Sequence, residues 1–203
     1  MEVLLVLVVL VLIGVVVFLV LRGRAASRKA AVPQARPEPK DPLADHEGVT
    51  DVRTVRAGDM VEYGDTLYFV RGSLRLTEGG SSWSEHFLDD ARGTRRWLSV
   101  EEDPDLEVVM WQETDLVAAP EGKTVMIEGV TYAKADDGKA KYRSEGTTTV
   151  AEKGRVEYYD YEGPDGKCLS FERFDDAEKW EVGLGETLST IALTVYPAGS
   201  DRT

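Results

Sequence analysis

The chain has 203 residues and a formal net charge of -13, and its acidic excess lies outside the N-terminal segment. The first 40 residues hold six of the 24 basic and two of the 37 acidic residues, so residues 41–203 carry a net charge of -17. That charge disfavours nucleic acid as a partner, and a single cysteine, Cys168, excludes an intramolecular disulfide.

The N-terminus carries the strongest local signal. Residues 3–21 are 19 consecutive residues without a charge, which is the length of a helix that crosses a bilayer. We therefore expect a transmembrane anchor over 1–21. A cleaved signal peptide is the alternative, but Glu2 replaces the expected positive n-region and the apolar run is long.

Basic residues follow the apolar run at once and predict its orientation. By the positive-inside rule the soluble part should be cytoplasmic at the cell membrane, with the N-terminus outside. The same side chains are candidate contacts with anionic headgroups of the inner membrane: Arg22, Arg24, Arg28 and Lys29. The linker, 22–50, is first basic and then contains four prolines in "VPQARPEPKDPLADHEG", which favours an extended spacer.

From Asp51 onward the pattern is typical of an all-β domain. Short alternating runs are separated by turn residues, such as Gly64 in "YGD" and Gly138 in "DDG", and no long helical period occurs. Closely spaced strands with tight turns predict antiparallel meanders.

Four pairs of short motifs recur in order along this region. "GDTLY" at Gly64 corresponds to "GVTY" at Gly129, and "EG" at 78–79 corresponds to "EG" at 145–146. Next, "LSVE" at 98–101 matches "LSFE" at 169–172, and "EV" at 107–108 matches "EV" at 181–182. Duplication of a five-strand unit explains all four pairs. We expect two small barrel- or roll-like units, 51–118 and 119–203.

Alternation within the third pair predicts one buried and one solvated face. Leu98, Val100, Leu169 and Phe171 should face the core, and Ser99, Glu101, Ser170 and Glu172 should face outward. Trp97 in the first copy aligns with Cys168 in the second, so function could have diverged there.

The stretches "GDMVEYGDTLYFVRGSLRL", "GGSSWSEHFLDD", "RRWLSVEED" and "LEVVMW" resemble an actinobacterial family of unknown function catalogued as 4178. The most specific pieces are "RRWLSVEE" and "YYDYE", "LSFERF" and "WEVGLG", and the resemblance covers roughly 55–197. It implies no established activity and no catalytic residues. It does imply a setting beside small membrane proteins, membrane-stress proteins or polyamine aminopropyltransferase-like enzymes.

Side chains capable of catalysis are sparse, so we expect no enzyme, cofactor or metal site. Alternation on a strand places His86 at the surface, and Cys168 has no histidine near it in sequence, which favours a packing or rim position. Trp83, Trp97, Trp111 and Trp180 are expected to pack cores or the contact between the copies.

One strand combines aromatic and acidic side chains. In "VEYYDYE" the alternation puts Tyr158 and Asp160 on one face, with Glu157, Tyr159 and Tyr161 on the other, and Glu162 follows. Aromatic rings beside carboxylates are the ingredients of an organic-cation site, although tyrosines also simply suit half-buried strands.

Two functions therefore stay open. The first is a non-enzymatic, membrane-tethered interaction module that binds a protein partner, such as another membrane protein, in a membrane-stress or polyamine-linked system. The second is a sensor or binder of polyamine or another cation through residues 156–162.

Overall fold

The computed structural model describes residues 51–199, which form eleven antiparallel strands and three short 3-10 turns. The strands are β1 (Met60–Tyr63), β2 (Thr66–Glu78), β3 (Ser81–Asp89), β4 (Arg95–Glu102), β5 (Leu106–Thr114), β6 (Thr124–Ile127), β7 (Val130–Gly146), β8 (Lys153–Glu162), β9 (Lys167–Phe174), β10 (Glu181–Thr187) and β11 (Leu193–Tyr196). The prediction of an all-β, antiparallel domain is confirmed.

All eleven strands belong to one sheet, in the order β11-β1-β2-β3-β4-β5-β10-β9-β8-β7-β6. An additional pairing joins β2 to β7, with Gly72 opposite Gly146 and Thr77 opposite Lys141. This pairing closes the eight strands β2, β3, β4, β5, β10, β9, β8 and β7 into a barrel. Strands β1 and β11 extend the sheet beyond β2, and β6 extends it beyond β7.

The prediction of two separate barrel- or roll-like units is wrong, because the two halves share this single barrel. The half β1–β5 contributes four barrel strands and the half β6–β10 contributes the other four. They meet twice through equivalent strands, β5 with β10 and β2 with β7. The physical reason is edge pairing: either half alone would expose two unpaired strand edges, and joining the halves hydrogen-bonds them.

The repeated motifs occupy equivalent places in the two halves. Gly64 turns the chain between β1 and β2 at φ +58°, and Gly129 turns it between β6 and β7 at φ +79°. The pair at 78–79 and 145–146 ends β2 and β7, the "LSVE" and "LSFE" pair lies on β4 and β9, and the last pair lies on β5 and β10. The left-handed turn conformation explains glycine at both first positions.

Two apolar clusters cover the outer face of the barrel, one on each half. In the first half Leu98 and Val100 are buried with residues of β1, β2 and β11 and of the turn Val52–Thr54. In the second half Leu169 and Phe171 are buried against Tyr132 and partly buried residues of β6. The strands outside the barrel therefore fold over its outer surface and protect the apolar side chains there.

The polar side of the "LSVE" and "LSFE" motifs faces the inside of the barrel. Ser99, Glu101, Ser170 and Glu172 were expected to point outward into solvent. This expectation is wrong for Ser99, Ser170 and Glu172, which are partly or fully buried, whereas Glu101 is exposed. Alternation separated the two faces correctly, but closure of the sheet turns the polar face inward. One part of the interior is filled by a third apolar cluster, Leu74, Leu76, Ala140, Tyr142 and Val156.

The predicted fold also included an N-terminal transmembrane helix. No helix within residues 51–199 is long and apolar enough to cross a membrane. The fold class is therefore corrected to a single eleven-stranded sheet. The anchor expected at 1–21, the linker 22–50 and the side chains of Arg22, Arg24, Arg28 and Lys29 lie outside the described residues.

Candidate functional site

A cavity of about 1430 Å³ occupies the part of the barrel interior that the third apolar cluster does not fill. Its walls come from β3, β4, β5, β7, β8, β9 and β10 and from the connections that follow β5 and β9. Most of the strand residues in the lining lie on one face of the sheet. Such a volume is ample for a small organic ligand.

Carboxylates dominate the cavity wall. Glu85, Asp160 and Glu172 are half-buried, and they approach one another from β3, β8 and β9. More exposed carboxylates complete the lining: Glu101, Glu107, Glu113, Asp115, Glu121, Asp136, Glu162, Glu178 and Glu181. Among the described residues, Lys179 is the one basic side chain in this lining. The cavity thus concentrates negative charge with almost no cation of its own.

The three half-buried acids retain protons more strongly than acids in water. Burial raises the pKa of Glu85 to about 7, and the negative charges of Asp160 and Glu101 add to the effect. Burial also raises the pKa of Asp160 to about 6, although a hydrogen bond from Ser170 opposes the rise. The pKa of Glu172 lies well above its usual range because of burial first and then the charge of Glu85.

Three tryptophans line the same space, and each donates its indole N–H to a cavity oxygen. Trp83 Nε1 lies 2.9 Å from Glu85 Oε1, and Trp97 Nε1 lies 2.7 Å from Glu113 Oε1. Trp111 Nε1 lies 2.8 Å from the hydroxyl of Ser99. These hydrogen bonds fix the rings in a wall that also contains Trp180, Tyr158 and Phe174. Aromatic rings next to carboxylates provide favourable surroundings for an organic cation.

Glycines on β10 make room for Trp111. A Cβ atom at Gly185 would lie only 2.5 Å from Cε3 of Trp111, whereas one at Gly183 would lie at an ordinary 3.5 Å. The indole therefore rests against the bare backbone of Gly185, and the absent side chain keeps the ring in the cavity wall.

The structure divides the acidic, tyrosine-rich strand between two sides of the barrel. Tyr158, Asp160 and Glu162 line the cavity, and Tyr161 contributes to its border. The Tyr158 hydroxyl lies 2.7 Å from Glu78 Oε2 and 3.3 Å from Asp136 Oδ2, so it is held between two carboxylates.

The other three residues of that strand serve the outer face. Glu157 accepts a hydrogen bond from Arg173, and Tyr159 packs edge-on against Trp180 at 5.5 Å between ring centroids. Tyr161 is buried in the second outer cluster, where its ring lies 5.8 Å from that of Phe171. The six residues therefore do not form one site.

His86 was expected at the surface, and this prediction is wrong. Its side chain is fully buried on the covered outer face of β3, with Nδ1 2.8 Å from Ser73 Oγ and Nε2 3.1 Å from Ser84 Oγ. Burial, aided by the charge of Arg75, lowers the pKa of His86 to about 3, so the ring is neutral. It points away from the cavity carboxylates.

Cys168 is buried at the edge of the cavity lining, where Trp97 stands in the other half. Its Sγ lies 3.5 Å from the Thr187 hydroxyl, and burial raises the pKa of the thiol. All four tryptophans line the cavity, and three of them also pack on apolar clusters.

Sequence reasoning missed most of the cavity acids, including Glu85, Glu113 and Glu181. The sequence indicated the cavity acids only through the polar face of the repeated motif, in which Glu101 and Glu172 occupy equivalent positions. Within residues 51–199, no group of three or more His, Cys, Asp or Glu side chains has an arrangement suited to a metal ion.

Comparison with known proteins gives the chain a family. The uncharacterized protein Mb2628 of Mycobacterium bovis (strain ATCC BAA-935 / AF2122/97) and the uncharacterized protein Rv2597 of Mycobacterium tuberculosis (strain ATCC 25618 / H37Rv) are each 39% identical to it over 181 residues. Each match covers 85% of this chain and 87% of the relative. No solved structure matches. The family model described as Domain of unknown function (DUF4178) matches residues 56–190, so the chain belongs to this family, as its sequence motifs indicated.

Proposed function

We propose that the protein binds a small organic cation inside the barrel and acts by binding rather than by catalysis. The observation that carries this proposal is the charge of the cavity: Glu85, Asp160 and Glu172 face one another, and Lys179 is the lone basic residue among the described lining residues. A ligand that brings positive charge would replace protons on these acids and relieve their mutual repulsion.

The donor chemistry of the wall favours an ammonium compound with N–H groups. Ionised carboxylates only accept hydrogen bonds, so a primary or secondary ammonium can satisfy several of them at once. The ring of carboxylates around the cavity suits more than one ammonium group, and the tryptophans suit the methylene chain between them. A linear polyamine such as spermidine has both properties and is the probe of choice.

Two features support binding without catalysis. The histidine that stood nearest to a run of acids in sequence, His86, lies on the other side of the sheet. The thiol of Cys168 has a raised pKa, which is the opposite of an activated nucleophile.

Titration calorimetry of the full chain with spermidine at low ionic strength tests the proposal. We expect saturable binding that weakens at least about tenfold in Asp160→Asn and in Glu172→Gln, because each variant removes one carboxylate charge from the cavity with little change in shape. The matched control is Glu157→Gln on the same strand, whose side chain lies on the outer face and should leave the affinity unchanged.

Two other cations test whether both the N–H donors and the apolar chain of spermidine contribute to binding. Tetramethylammonium carries charge but no N–H donor, and Mg²⁺ carries charge without an apolar chain, so both should bind more weakly than spermidine. No saturable heat with spermidine, or an equal loss in Glu157→Gln and Asp160→Asn, would refute the cavity as the site.

The interaction module considered from the sequence is a second proposal. It relied on an acidic surface or on exposed strand edges as the contact with the partner, and it stays a prediction.

A further inference from the structure

The outer face of β2, β7 and β8 carries a cluster of basic residues that the cavity does not use. The register places Arg143 of β7 between Arg75 of β2 and Lys153 of β8, in one row across three strands. In the next row Lys141 lies between Thr77 and Arg155. We call these six residues, five of them basic and one a threonine, the basic face. They border a groove of about 630 Å³, and one carboxylate, that of Asp175, also lines this groove. Asp175 accepts hydrogen bonds from the Tyr142 hydroxyl and the backbone N–H of Arg155.

Like charges stand directly opposite one another in both rows. Facing side chains of neighbouring antiparallel strands have Cβ atoms about 5 Å apart, a distance at which like charges destabilise the sheet. The row beyond shows the usual arrangement, since Lys139 faces Glu157 there and their charged atoms lie 3.4 Å apart. The basic face therefore lacks the pairing of opposite charges that the adjacent row of the same strands shows.

Little within the described chain compensates these charges. Arg75 lies 3.6 Å from Glu145 and donates a hydrogen bond to the carbonyl oxygen of Val55. For Lys141, Arg143, Lys153 and Arg155, the structure of residues 51–199 contains no ion pair with a carboxylate. These four side chains are exposed, so they are free to meet an anion from outside.

We infer that the basic face is a docking surface for an acidic segment of a partner protein. Charge complementarity carries the inference, because the partner would supply the carboxylates that the two rows lack. A small anion would be poorly enclosed on an open sheet face, whereas a peptide segment can contact several basic residues across three strands.

Long polyanions fit this surface less well. A nucleic acid duplex or an anionic membrane extends beyond the basic face and would meet the remainder of a body whose net charge over 41–203 is -17. A short segment stays within about one Debye length, roughly 8 Å at physiological salt, of the basic side chains and avoids that repulsion.

The test measures fluorescence anisotropy of a labelled peptide of ten glutamates with the full chain at low ionic strength. The triple variant Lys141→Gln, Arg143→Gln, Arg155→Gln should bind the peptide at least about tenfold more weakly than the unaltered protein. The matched control removes three exposed charges elsewhere, Arg92→Gln, Arg95→Gln and Lys123→Gln, and should keep most of the affinity.

A stability measurement shows that the loss is not caused by unfolding. Since the triple variant removes like-charge pairs, its thermal midpoint should equal or exceed that of the unaltered protein. The single variant Arg143→Gln should change the thermal midpoint in the same direction, but by less. Absence of peptide binding, or an equal loss in both triple variants, would overturn the inference. So would stronger binding of the basic face to phosphatidylglycerol vesicles or duplex DNA than to the peptide.

Discussion

At the scale of single residues, Trp111 shows how the cavity wall is built. Its ring is held at one end by the hydrogen bond to Ser99 and supported along its length by the bare backbone of Gly185. Neither glycine of β10 has a positive φ, so their value lies in the space they leave and not in unusual backbone geometry.

This arrangement predicts that alanine destabilises the protein at Gly185 but is tolerated at Gly183. Gly185→Ala would place a methyl group 2.5 Å from the ring, so Trp111 must move, and we expect a loss of about 1–3 kcal/mol of stability with a changed tryptophan fluorescence spectrum. Gly183→Ala meets the same ring at 3.5 Å and is the matched control. Urea unfolding and fluorescence of the two variants test this, and equal behaviour would contradict the proposed support of Trp111.

At the scale of elements, the two five-strand halves complete one another. The junctions β5 with β10 and β2 with β7 supply the hydrogen bonds that neither half can make within itself. Each half alone would expose the face that lines the cavity. The carboxylates of the two halves therefore face one another only in the complete barrel.

A chain divided between Glu121 and Gly122 tests this dependence. The division falls in an exposed connection between β5 and β6, outside every strand. We expect either fragment alone to be unfolded or aggregated because of its open strand edges, and the two fragments together to form a stable complex. Circular dichroism and size-exclusion chromatography of the fragments, apart and mixed, give the answer. A monomeric, folded half would argue against mutual closure.

The repeat also shows how far the sequence could predict the fold. Local alternation identified most of the strands, the two faces of β4 and β9, and the equivalence of the halves, because these depend on neighbouring residues. Gly138 is an exception, since it was expected to turn the chain and instead lies inside β7. Closure depends on pairing between distant strands, which no local pattern records. For that reason Ser170 and Glu172 were assigned to a solvated face. His86 was placed at the surface, although residues from other parts of the chain cover it.

At the scale of the whole molecule, the charges are sorted by location. The cavity concentrates carboxylates inside the barrel, the basic face gathers cations outside β2, β7 and β8, and apolar clusters separate solvent from the remaining outer wall. Concentrated acids make the stability of the empty protein depend on pH, and the direction follows from the individual groups.

Acids with raised pKa values stabilise the folded protein at low pH and lose that contribution as pH increases. The folded state keeps the proton of Glu85 up to about pH 7, whereas an unfolded chain releases it near 4.5, so stability falls as pH rises between these values and slightly beyond. His86 acts in the opposite sense. Its pKa of about 3 adds stability above the usual value of 6.5, and this is lost as pH falls.

In the unfolded chain His86 is still half-protonated at pH 6.5 and loses its proton up to about pH 7.5, which raises stability over that range. This contribution is the same in the unaltered chain and in Glu85→Gln, so the difference between their curves from pH 6.5 to 8.5 reports on Glu85. In this window we expect the urea midpoint of the unaltered, ligand-free chain to fall relative to that of Glu85→Gln as pH rises, because the folded variant has one fewer proton to release. Glu157→Gln is the control, since the hydrogen bond from Arg173 lowers the pKa of Glu157 and keeps it ionised throughout. Parallel curves for Glu85→Gln and the unaltered chain would mean that Glu85 is already ionised at neutral pH, and a cation would then enter the cavity without displacing a proton from it.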